Sequence, residues 1–437
     1  MGDSTGYPIN VTQVNLTSSS GTATYHPNIL IQPNSIETVT VPSSTLCSPG
    51  ARYSVSAVVS YLEPGQIFPG PYESTGTVSG TAASPPSSAT SYEPLTVTNT
   101  QNQGTPSPFQ QMVNVTSTSP GWADISSSPF GQNVEFFSDT GQILDSWLEN
   151  YTSTHAIWGV KLTSSIPAGS KQTIYMGFAS TSTNLFNTVN VGEAPQLSST
   201  YGEYDDGANI FNYYENFVGT TLPSNLQETV LSNPSGASGS YSVNNGLTIS
   251  NTNGLDFWDS NYMITLFHFT STVSLLQIFE AKITSLTGNS GDSGWTKAGI
   301  LYQNSITDSS DANGEVDMVV TSGNGYAFQW QSGTSYVAPS ANVNGGSISY
   351  PTILTLIAES SSSIGGFHGT SLNSLTQEGS YVTPTSVASS GYIGLFITAH
   401  SSSCTSSATF QYMLARAYPP NGVMPYISFG PLNGQVS

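Results

Sequence analysis

Apolar and polar side chains alternate along much of this sequence, and the alternation constrains the fold more than any other feature. It is clearest where single smaller or polar residues separate Tyr53, Val55, Ala57, Val59 and Tyr61. A period of two is typical of a β-strand with one buried face. No stretch of comparable length shows the 3.6-residue period of an amphipathic helix. The sequence therefore predicts an all-β protein.

The chain of 437 residues is long enough for about two to four domains. A Pro-, Ser- and Ala-rich stretch at residues 82–92 separates two strand-rich regions. We predict three β-sandwich domains in a row. An Ig-like sandwich of about seven short strands is expected over residues 1–84, a linker over 85–92 and a second Ig-like sandwich over 93–208. Residues 209–437 exceed an Ig-like domain and suit a large two-sheet jelly roll.

Few charges are available for binding charged partners. Charged residues make up 7% of the chain, and Lys and Arg together number six, whereas an average soluble domain is about 25% charged. So few cations cannot neutralise a row of phosphates, so we expect no nucleic-acid partner. The same scarcity argues against binding to anionic membrane surfaces.

The surface chemistry is that of an extracellular protein. The formal net charge is −20 at pH 7, but it disappears in acid because Asp and Glu titrate near pH ~4. We interpret the neutral surface of hydroxyls and amides as adapted to an acidic exterior, with an ordinary secreted protein rich in Ser and Thr as the alternative. No apolar run is long enough to span a bilayer, so we expect no membrane insertion of this segment.

Two cysteines and four glycosylation sequons are consistent with an extracellular location. Cys47 and Cys404 could form a disulfide between the first and last domains, or remain two separate thiols, since geometry decides which. Four asparagines begin an N-x-Ser/Thr sequon and are candidate glycan sites, namely Asn10, Asn15, Asn114 and Asn150.

The middle region resembles a domain of unknown function (family 2341) found in archaeal and bacterial surface proteins. The matching strings are PFQQ at 108–111, NVEFF at 133–137, SWLE at 146–149, IPAG at 166–169, IYMGFA at 174–179 and YGEYDDGAN at 201–209. In such proteins a concanavalin A-like sandwich commonly follows. The resemblance implies an archaeal surface, appendage or viral-fibre protein and no known reaction.

The last region resembles that concanavalin A-like sandwich. The similar strings are FVGT at 217–220, KAGIL at 297–301 and RAYPPNGVMP at 416–425. The first region is loosely similar to the soluble β-domain of archaeal pilins, through Pro49-Gly50 and the run Tyr53-x-Val55-x-Ala57. Together these resemblances imply a lectin- or glucanase-type domain carried on surface modules.

One carboxylate motif lies in the last region, at 315–320 (EVDMVV). It is similar to the Glu-x-Asp-x-x-Glu strand of laminarinase-like glucanases, in which one glutamate is the nucleophile and the last is the acid/base. Retaining hydrolysis needs two carboxyl groups about 5 Å apart. Val320 stands at the third position, so we predict a protein that is not an enzyme.

The same region offers oxygen ligands for a cation. Asp308, Asp311, Asn313 and Glu315 lie close together in the sequence, with Asp317 just beyond. Oxygen donors at this density suit Ca²⁺, although the spacing is not that of an EF-hand. A solvated acidic loop is the alternative. Asp205-Asp206-Gly207 similarly either binds a metal or caps a turn.

Aromatic residues near turns are the remaining candidates for ligand binding. Trp258, Asp259 and Tyr262 could stack on and hydrogen-bond to a sugar. Tyr326, Phe328 and Trp330 could do the same, but their alternation favours a core strand.

These features lead to three hypotheses of function. The first is an extracellular adhesin or surface-fibre subunit, cellular or viral, that binds surface glycans or a host cell-surface protein. The second is a structural filament or sheath subunit, in which a neighbour's strand fills an exposed sheet edge. The third is a secreted polysaccharide hydrolase.

Overall fold

The computed structural model describes residues 7–35, 46–47, 51–67, 69–82, 84–232, 238–252, 263–288, 294–306, 314–332, 335–337, 345–371, 374–384, 387–400 and 404–432. Within these residues nearly all regular structure is β-strand, and the helices are single turns. The prediction of an all-β protein is therefore confirmed. In the part of the chain that is described, no helix is both long and apolar enough to cross a bilayer.

The N-terminal domain is a single antiparallel sheet in its described residues. Its strands are β1 (Ile9–Thr17), β2 (Thr22–Tyr25), β3 (Ile29–Ile31), β4 (Arg52–Leu62) and β5 (Tyr72–Thr81). The order is β2-β1-β4-β5, with β3 also paired to β1. These are five of the about seven strands predicted for residues 1–84, and residues 36–45 lie outside the described residues. Val11, Val14 and Ile31 form a small core on one face.

The middle domain is a sandwich of two sheets. Its own strands are β6 (Ser91–Thr98), β7 (Phe109–Thr116), β8 (Val134–Phe137), β9 (Ile143–Leu144), β10 (Ser146–Tyr151), β11 (His155–Leu162), β12 (Lys171–Phe178) and β13 (Val191–Glu193). One sheet has the order β13-β10-β11-β7, and the other contains β6-β12-β8-β9. Alternate residues such as Val113, Trp158 and Ile174 fill the space between the sheets.

A one-turn helix, α1 (Gly207–Ile210), leads into a jelly roll of two larger sheets. Its strands are β14 (Tyr213–Glu215), β15 (Leu226–Ser232), β16 (Ser238–Val243), β17 (Leu247–Thr252), β18 (Met263–Phe269), β19 (Val273–Ser274), β20 (Gln277–Gly288), β21 (Lys297–Gln303), β22 (Val316–Thr321), β23 (Tyr326–Ser332), β24 (Ser335–Val337), β25 (Thr352–Ser360), β26 (Ser363–Gly369), β27 (Thr376–Val382), β28 (Ser390–Thr398) and β29 (Thr405–Ala417).

The two jelly-roll sheets have eight strands each. The first has the order β16-β17-β29-β20-β25-β26-β27, with β14 beside β29, and the second has the order β15-β18-β28-β21-β22-β23-β24, with β19 beside β28. A continuous apolar core lies between them and includes Phe267, Ile300, Met318 and Phe410. Phe328 belongs to this core and Trp330 packs against it, as their alternation predicts.

The chain does not end in the jelly roll, and this corrects the predicted boundary at residues 209–437. The last strand, β30 (Tyr426–Phe429), crosses back and pairs antiparallel with β6 of the middle domain, from Tyr426 opposite Thr98 to Phe429 opposite Leu95. Ile427 and Phe429 pack against the core of the middle domain. The two larger domains therefore share one sheet as well as an interface.

The predicted linker at residues 85–92 is also part of the middle domain. The Ser84 N–H donates to the Asp139 carbonyl, and the Thr90 N–H donates to the Phe178 carbonyl. Ala89 is buried, and β6 already begins at Ser91. Two prolines do not make a free spacer here because the flanking backbone N–H groups find acceptors on the folded domain.

A buried carboxylate organises the junction between the middle domain and the jelly roll. The carboxylate of Asp205 accepts hydrogen bonds from Trp147 Nε1 at 2.9 Å, from Tyr214 OH at 2.6 Å and from Asn216 Nδ2 at 2.6 Å. It also accepts from the Gly207 N–H at 3.0 Å. Asp205 therefore serves a turn and a hydrogen-bond network, and the described residues contain no cluster of three metal-binding side chains.

Gln110 and Arg416 extend this junction. Gln110 donates to the Ile210 carbonyl at 2.9 Å and accepts from the Ala417 N–H at 2.9 Å. Arg416 Nε donates to Glu280 Oε1 at 2.7 Å, and both side chains are buried. The ion pair joins two neighbouring strands of the jelly roll, whereas the two hydrogen bonds of Gln110 cross the junction and tie the middle domain to the jelly roll.

Of the two alternatives for Cys47 and Cys404, the structure has two separate thiols, and both are free. Cys47 lies near Tyr92 of the middle domain, where burial and then the nearby Cys47 raise the pKa of the Tyr92 phenol. Cys404 is buried at the start of β29, and the other end of β29 contacts the middle domain.

If β30 completes the middle domain, then Ile427→Ala and Phe429→Ala should each destabilise it by about 1–2 kcal/mol, because each removes a half-buried apolar side chain. The measurement is calorimetric unfolding of the full chain. Tyr426→Ala, on the same strand but 66% exposed, should leave the transition nearly unchanged. Equal effects from all three variants would contradict the assignment.

Buried carboxyl groups should make this protein more stable in acid. Burial first, then Asp205 and Asp145, raise the pKa of Asp206 to about 9, and burial raises the pKa of Glu93 to about 7. A pKa raised by folding means that the folded state binds the proton more tightly. The stabilisation is fully present below pH ~4 and is lost as pH rises toward about 7 for Glu93 and about 9 for Asp206.

We therefore expect the unfolding temperature to fall steadily from pH 4 to pH 9. Asp206→Asn keeps the shape of the side chain but cannot ionise, so this variant should lose less stability than the wild type over the upper part of that range. Thermal unfolding followed by circular dichroism in buffers of constant ionic strength measures both slopes. A stability maximum above pH 7 would refute the sign of the effect.

Candidate functional site

Most of the residues predicted to bind ligands lie outside the described residues. This applies to the sugar-stacking candidates Trp258, Asp259 and Tyr262, and to the calcium candidates Asp308, Asp311 and Asn313. Of the predicted calcium ligands only Glu315 is described, and it is fully buried just before β22. These binding sites therefore remain predictions.

Glu315 and Asp317 lie on the face of their sheet that points away from the main core. Val316, Met318 and Val320 point into the core between the sheets, so the odd-numbered residues point the other way. The pairing of β22 with β21 and β23 has no bulge. The next position on the face of Glu315 and Asp317 is therefore Val319, and Val320 lies on the opposite face.

Other polar side chains share this face, which we call the polar face. Its buried polar members include His268, Lys297, Gln303, Glu315, Asp317 and Gln329. Gln329 lies directly opposite Asp317 and accepts a hydrogen bond from Lys297 Nζ at 3.1 Å. Gly394 lies between His268 and Leu301, and a Cβ there would come within 2.3 Å of the Phe267 carbonyl. This close approach requires glycine.

His268 is a neutral structural residue on this face. Its Nδ1 lies 2.8 Å from the Phe269 carbonyl, so Nδ1 carries the proton and Nε2 accepts from Thr229 Oγ1 at 3.0 Å. Burial lowers the pKa of His268. A histidine held in this way is not poised to exchange protons with a substrate.

The polar face is closed to solvent. Glu315, Gln303 and Lys297 are fully buried, and so are the apolar residues between them, such as Leu301 and Phe396. Both amide atoms of Gln303 are buried without a hydrogen-bond partner among the described residues. The polar face holds the carboxyl groups of Glu315 and Asp317. The next residue on that face is Val319, at the position where an acid/base residue would lie beside them.

An open depression lies on the middle domain instead. Its volume is about 590 Å³, within the range of about 300–1,000 Å³ of ligand sites. It adjoins a second depression through Ala123 and Thr181, and we call the two together the trough. The trough contains one indole, Trp122, one carboxylate, Asp124, and eight hydroxyl side chains, namely Thr90, Ser91, Ser126, Ser127, Ser128, Ser180, Thr181 and Ser182.

Buried amides fix the walls of the trough. Asn133 Nδ2 donates to the Asp124 carbonyl at 2.9 Å and to the Ala179 carbonyl at 2.8 Å, while Asn133 Oδ1 accepts from the Ser126 N–H at 2.7 Å. Gln132 Nε2 donates to the Thr181 carbonyl at 3.1 Å. Asn133 and Gln132 lie just before β8, and they hold both segments that line the trough, 124–126 and 179–181. The hydroxyl groups of these segments are therefore fixed in place before a ligand binds.

A carboxyl group lies beneath the trough. Glu93 is fully buried and accepts a hydrogen bond from the Gly121 N–H at 3.0 Å. The shift of its pKa to about 7 comes from burial, with Asp124 adding to it. Gly121 precedes the short helical turn Trp122–Asp124, and a Cβ there would meet the Phe178 ring at 2.3 Å. Glu93 and Phe178 together fix the turn that carries Trp122, whose half-buried indole packs against Phe130 and the core of the middle domain while it lines the trough.

The four predicted glycan sites lie on strands and are half-buried. Asn10 and Asn15 are in β1, Asn114 is in β7 and Asn150 is in β10. The nitrogen of Asn10 donates to Asn28 Oδ1 at 3.0 Å. Their use stays a prediction.

Comparison with known proteins identifies no family. No protein-family model matches the chain, so the resemblances to family 2341 and to pilins are not confirmed. The uncharacterized protein 562 of Sulfolobus islandicus rod-shaped virus 1 is 39% identical over 128 residues, which are 28% of this chain and 21% of that protein. The chain thus matches only about a fifth of its viral relative.

Solved structures similar to this chain include glucanase-like proteins. An immunostimulatory antigen and pseudo β-1,3-glucanase of Mycobacterium tuberculosis is 12% identical, with a TM-score of 0.32, and the match covers 47% of this chain and 98% of that one. An endo-β-1,3-glucanase of Pyrococcus furiosus is 10% identical, with a TM-score of 0.32, over 48% of this chain and 94% of that one. At these identities the likeness concerns the fold alone.

Proposed function

We propose that this chain is a subunit of a virion-surface fibre that binds neutral glycans on a host surface. The partial identity to a rod-shaped virus protein supports a viral setting. The scarcity of charge, 7% of all residues, supports an uncharged ligand. Within the proposal, the chain acts outside the cell, at the virion surface, and performs no reaction.

The trough is the single observation that carries glycan binding. A sugar ring presents C–H groups to an aromatic face and hydroxyls to hydrogen-bonding partners. Trp122 supplies the aromatic face, and Asp124 with the neighbouring serines and threonines supplies hydrogen-bonding groups. Because buried Asn133 and Gln132 hold both walls, little conformational entropy is lost when a ligand binds.

The joint between the domains suits a fibre subunit. The β6–β30 pairing and the Asp205 network fix the jelly roll to the middle domain, so a force on one domain passes to the other without a flexible hinge. A domain that is attached to its neighbour by backbone hydrogen bonds in a shared sheet resists displacement better than one on a linker.

The hydrolase hypothesis has weaker support. Glu315 and Asp317 share a face, as two carboxylates of a glucanase do, but Val319 occupies the position next to them on that face. Retaining and inverting mechanisms both need a second carboxyl group across the scissile bond. The filament hypothesis depends on sheet edges, and the N-terminal sheet offers one for pairing.

Replacing Trp122 with alanine should weaken glycan binding at least about tenfold, because stacking on the indole is lost. Glycans bound by the wild type are first found on an array and then titrated by calorimetry. Tyr241→Ala, which removes an exposed aromatic side chain from β16 of the jelly roll, should bind like the wild type. Unchanged affinity in Trp122→Ala would remove the trough from the proposal.

The purified protein should release no reducing sugar from laminarin or mixed-linkage β-glucan. Glu315→Gln should behave identically, because valine occupies both position 319 and position 320, where an acid/base residue would follow Glu315 and Asp317. Reducing-end assays over long incubations at acidic and neutral pH make this comparison. Hydrolysis by the wild type that disappears in Glu315→Gln would establish the hydrolase hypothesis instead.

A further inference from the structure

Strand β5 forms an unusually open sheet edge. It pairs with β4 over ten residues, from Tyr72 opposite Tyr61 to Thr81 opposite Arg52, without a bulge. In the described part of the chain no strand pairs with its other side. All residues from 71 to 80 are exposed, so side chains on both faces of β5 reach solvent.

This edge lacks the features that normally prevent pairing. Natural edge strands are protected by lysine, proline, bulges, shortness or a covering segment. From Tyr72 to Thr81 there is no lysine or proline, and Glu73 is the single charge. The other edge strands among the described residues are shorter than β5, and β27 also carries a bulge.

We propose that β5 of one chain pairs antiparallel with β5 of a second copy, which joins their N-terminal sheets into one continuous sheet. Successive side chains alternate between the two faces, so a two-fold axis through the sheet must place one residue opposite its own copy. An axis at Gly76 does this and uses nearly the whole strand. Gly76 has no side chain and the space above it is open, since a Cβ there would contact nothing within 4 Å, so no side chain crowds the axis.

The sequence of β5 is complementary to itself in this register. Thr75 lies opposite Thr77 of the second copy on both sides of the axis, and such cross-strand threonine pairs are favourable. Tyr72 lies opposite Gly80, which has no side chain and over which the ring of Tyr53 from the neighbouring strand of the same chain already packs. Glu73 lies opposite Ser79, so the two glutamates are about 20 Å apart along the strand direction and do not repel strongly.

A second copy is therefore the occupant that β5 fits. The pairing is isologous and closes on itself, so it produces a dimer and not an open filament. It is independent of glycan binding, but it would give each assembly two jelly rolls and two troughs on one support. Two linked sites raise the apparent affinity for a surface without any new contact at the site.

Complementary charges on β5 test the proposal. In one variant Thr75 and Thr77 are both replaced by lysine, and in another both are replaced by glutamate. Both side chains lie on one face of β5 and are exposed, so folding should be kept, as thermal unfolding will verify. Native mass spectrometry and light scattering of the full chain should show twice the chain mass of 45.9 kDa for the wild type.

We expect each charged variant alone to dissociate with a dissociation constant raised at least about tenfold, because like charges face each other across the axis. An equal mixture of the two variants should recover a mixed dimer. A matched control, Thr22→Lys with Thr24→Lys on β2 at the opposite edge of the same sheet, should remain dimeric. A wild type that stays monomeric at all concentrations, a mixture that does not associate, or filaments that the β2 control abolishes would each overturn the proposal.

Discussion

The carboxylate of Asp205 is the interaction on which the arrangement of the two larger domains depends. Its four donors come from β10, from the turn into α1, and from β14 and the segment that follows it. Trp147, Phe211, Tyr214 and Tyr412 pack around it as one aromatic cluster. Because burial raises the pKa of Asp205 and the hydrogen bonds lower it, the network is stable only when both domains supply their donors.

The scarcity of cations explains much of the remaining chemistry. Of six Lys and Arg residues, Lys297 and Arg416 are buried, and Lys282 lies in a setting where burial lowers its pKa. Few cations are then left to pair with buried carboxyls such as Glu93 and Asp206. Burial therefore favours the protonated form of these carboxyls, so the folded state is more stable at low pH. The composition of the surface does not show this effect, because it arises from buried groups.

Short sequence patterns predicted the features of the fold that depend on neighbouring residues. The alternation of residues correctly indicated the strand that contains Tyr53 and Tyr61 (β4) and the core position of Phe328, because burial of one strand face is visible in a short window. The return of β30 to β6 was not predictable, since it joins segments more than 300 residues apart and four residues carry little pattern. Lys297 and Gln303 were missed because a polar residue in an apolar strand gives no sign of which face it occupies. The trough was missed because loops and strand ends with no periodicity build it around Trp122.

Edge protection follows from the same shortage of cations. Lysine on an edge strand is a common way to prevent unwanted pairing, and a chain with six Lys and Arg residues has few to place there. The jelly roll and middle domain rely on short edges, on a bulge in β27 and on covering segments, such as β7 with Gln110 and Gln111 bonded to the last domain. Strand β5 has none of these features over ten residues. Among the described residues β5 is the longest edge strand, and it lacks these features, which supports its assignment as the interface of the proposed dimer.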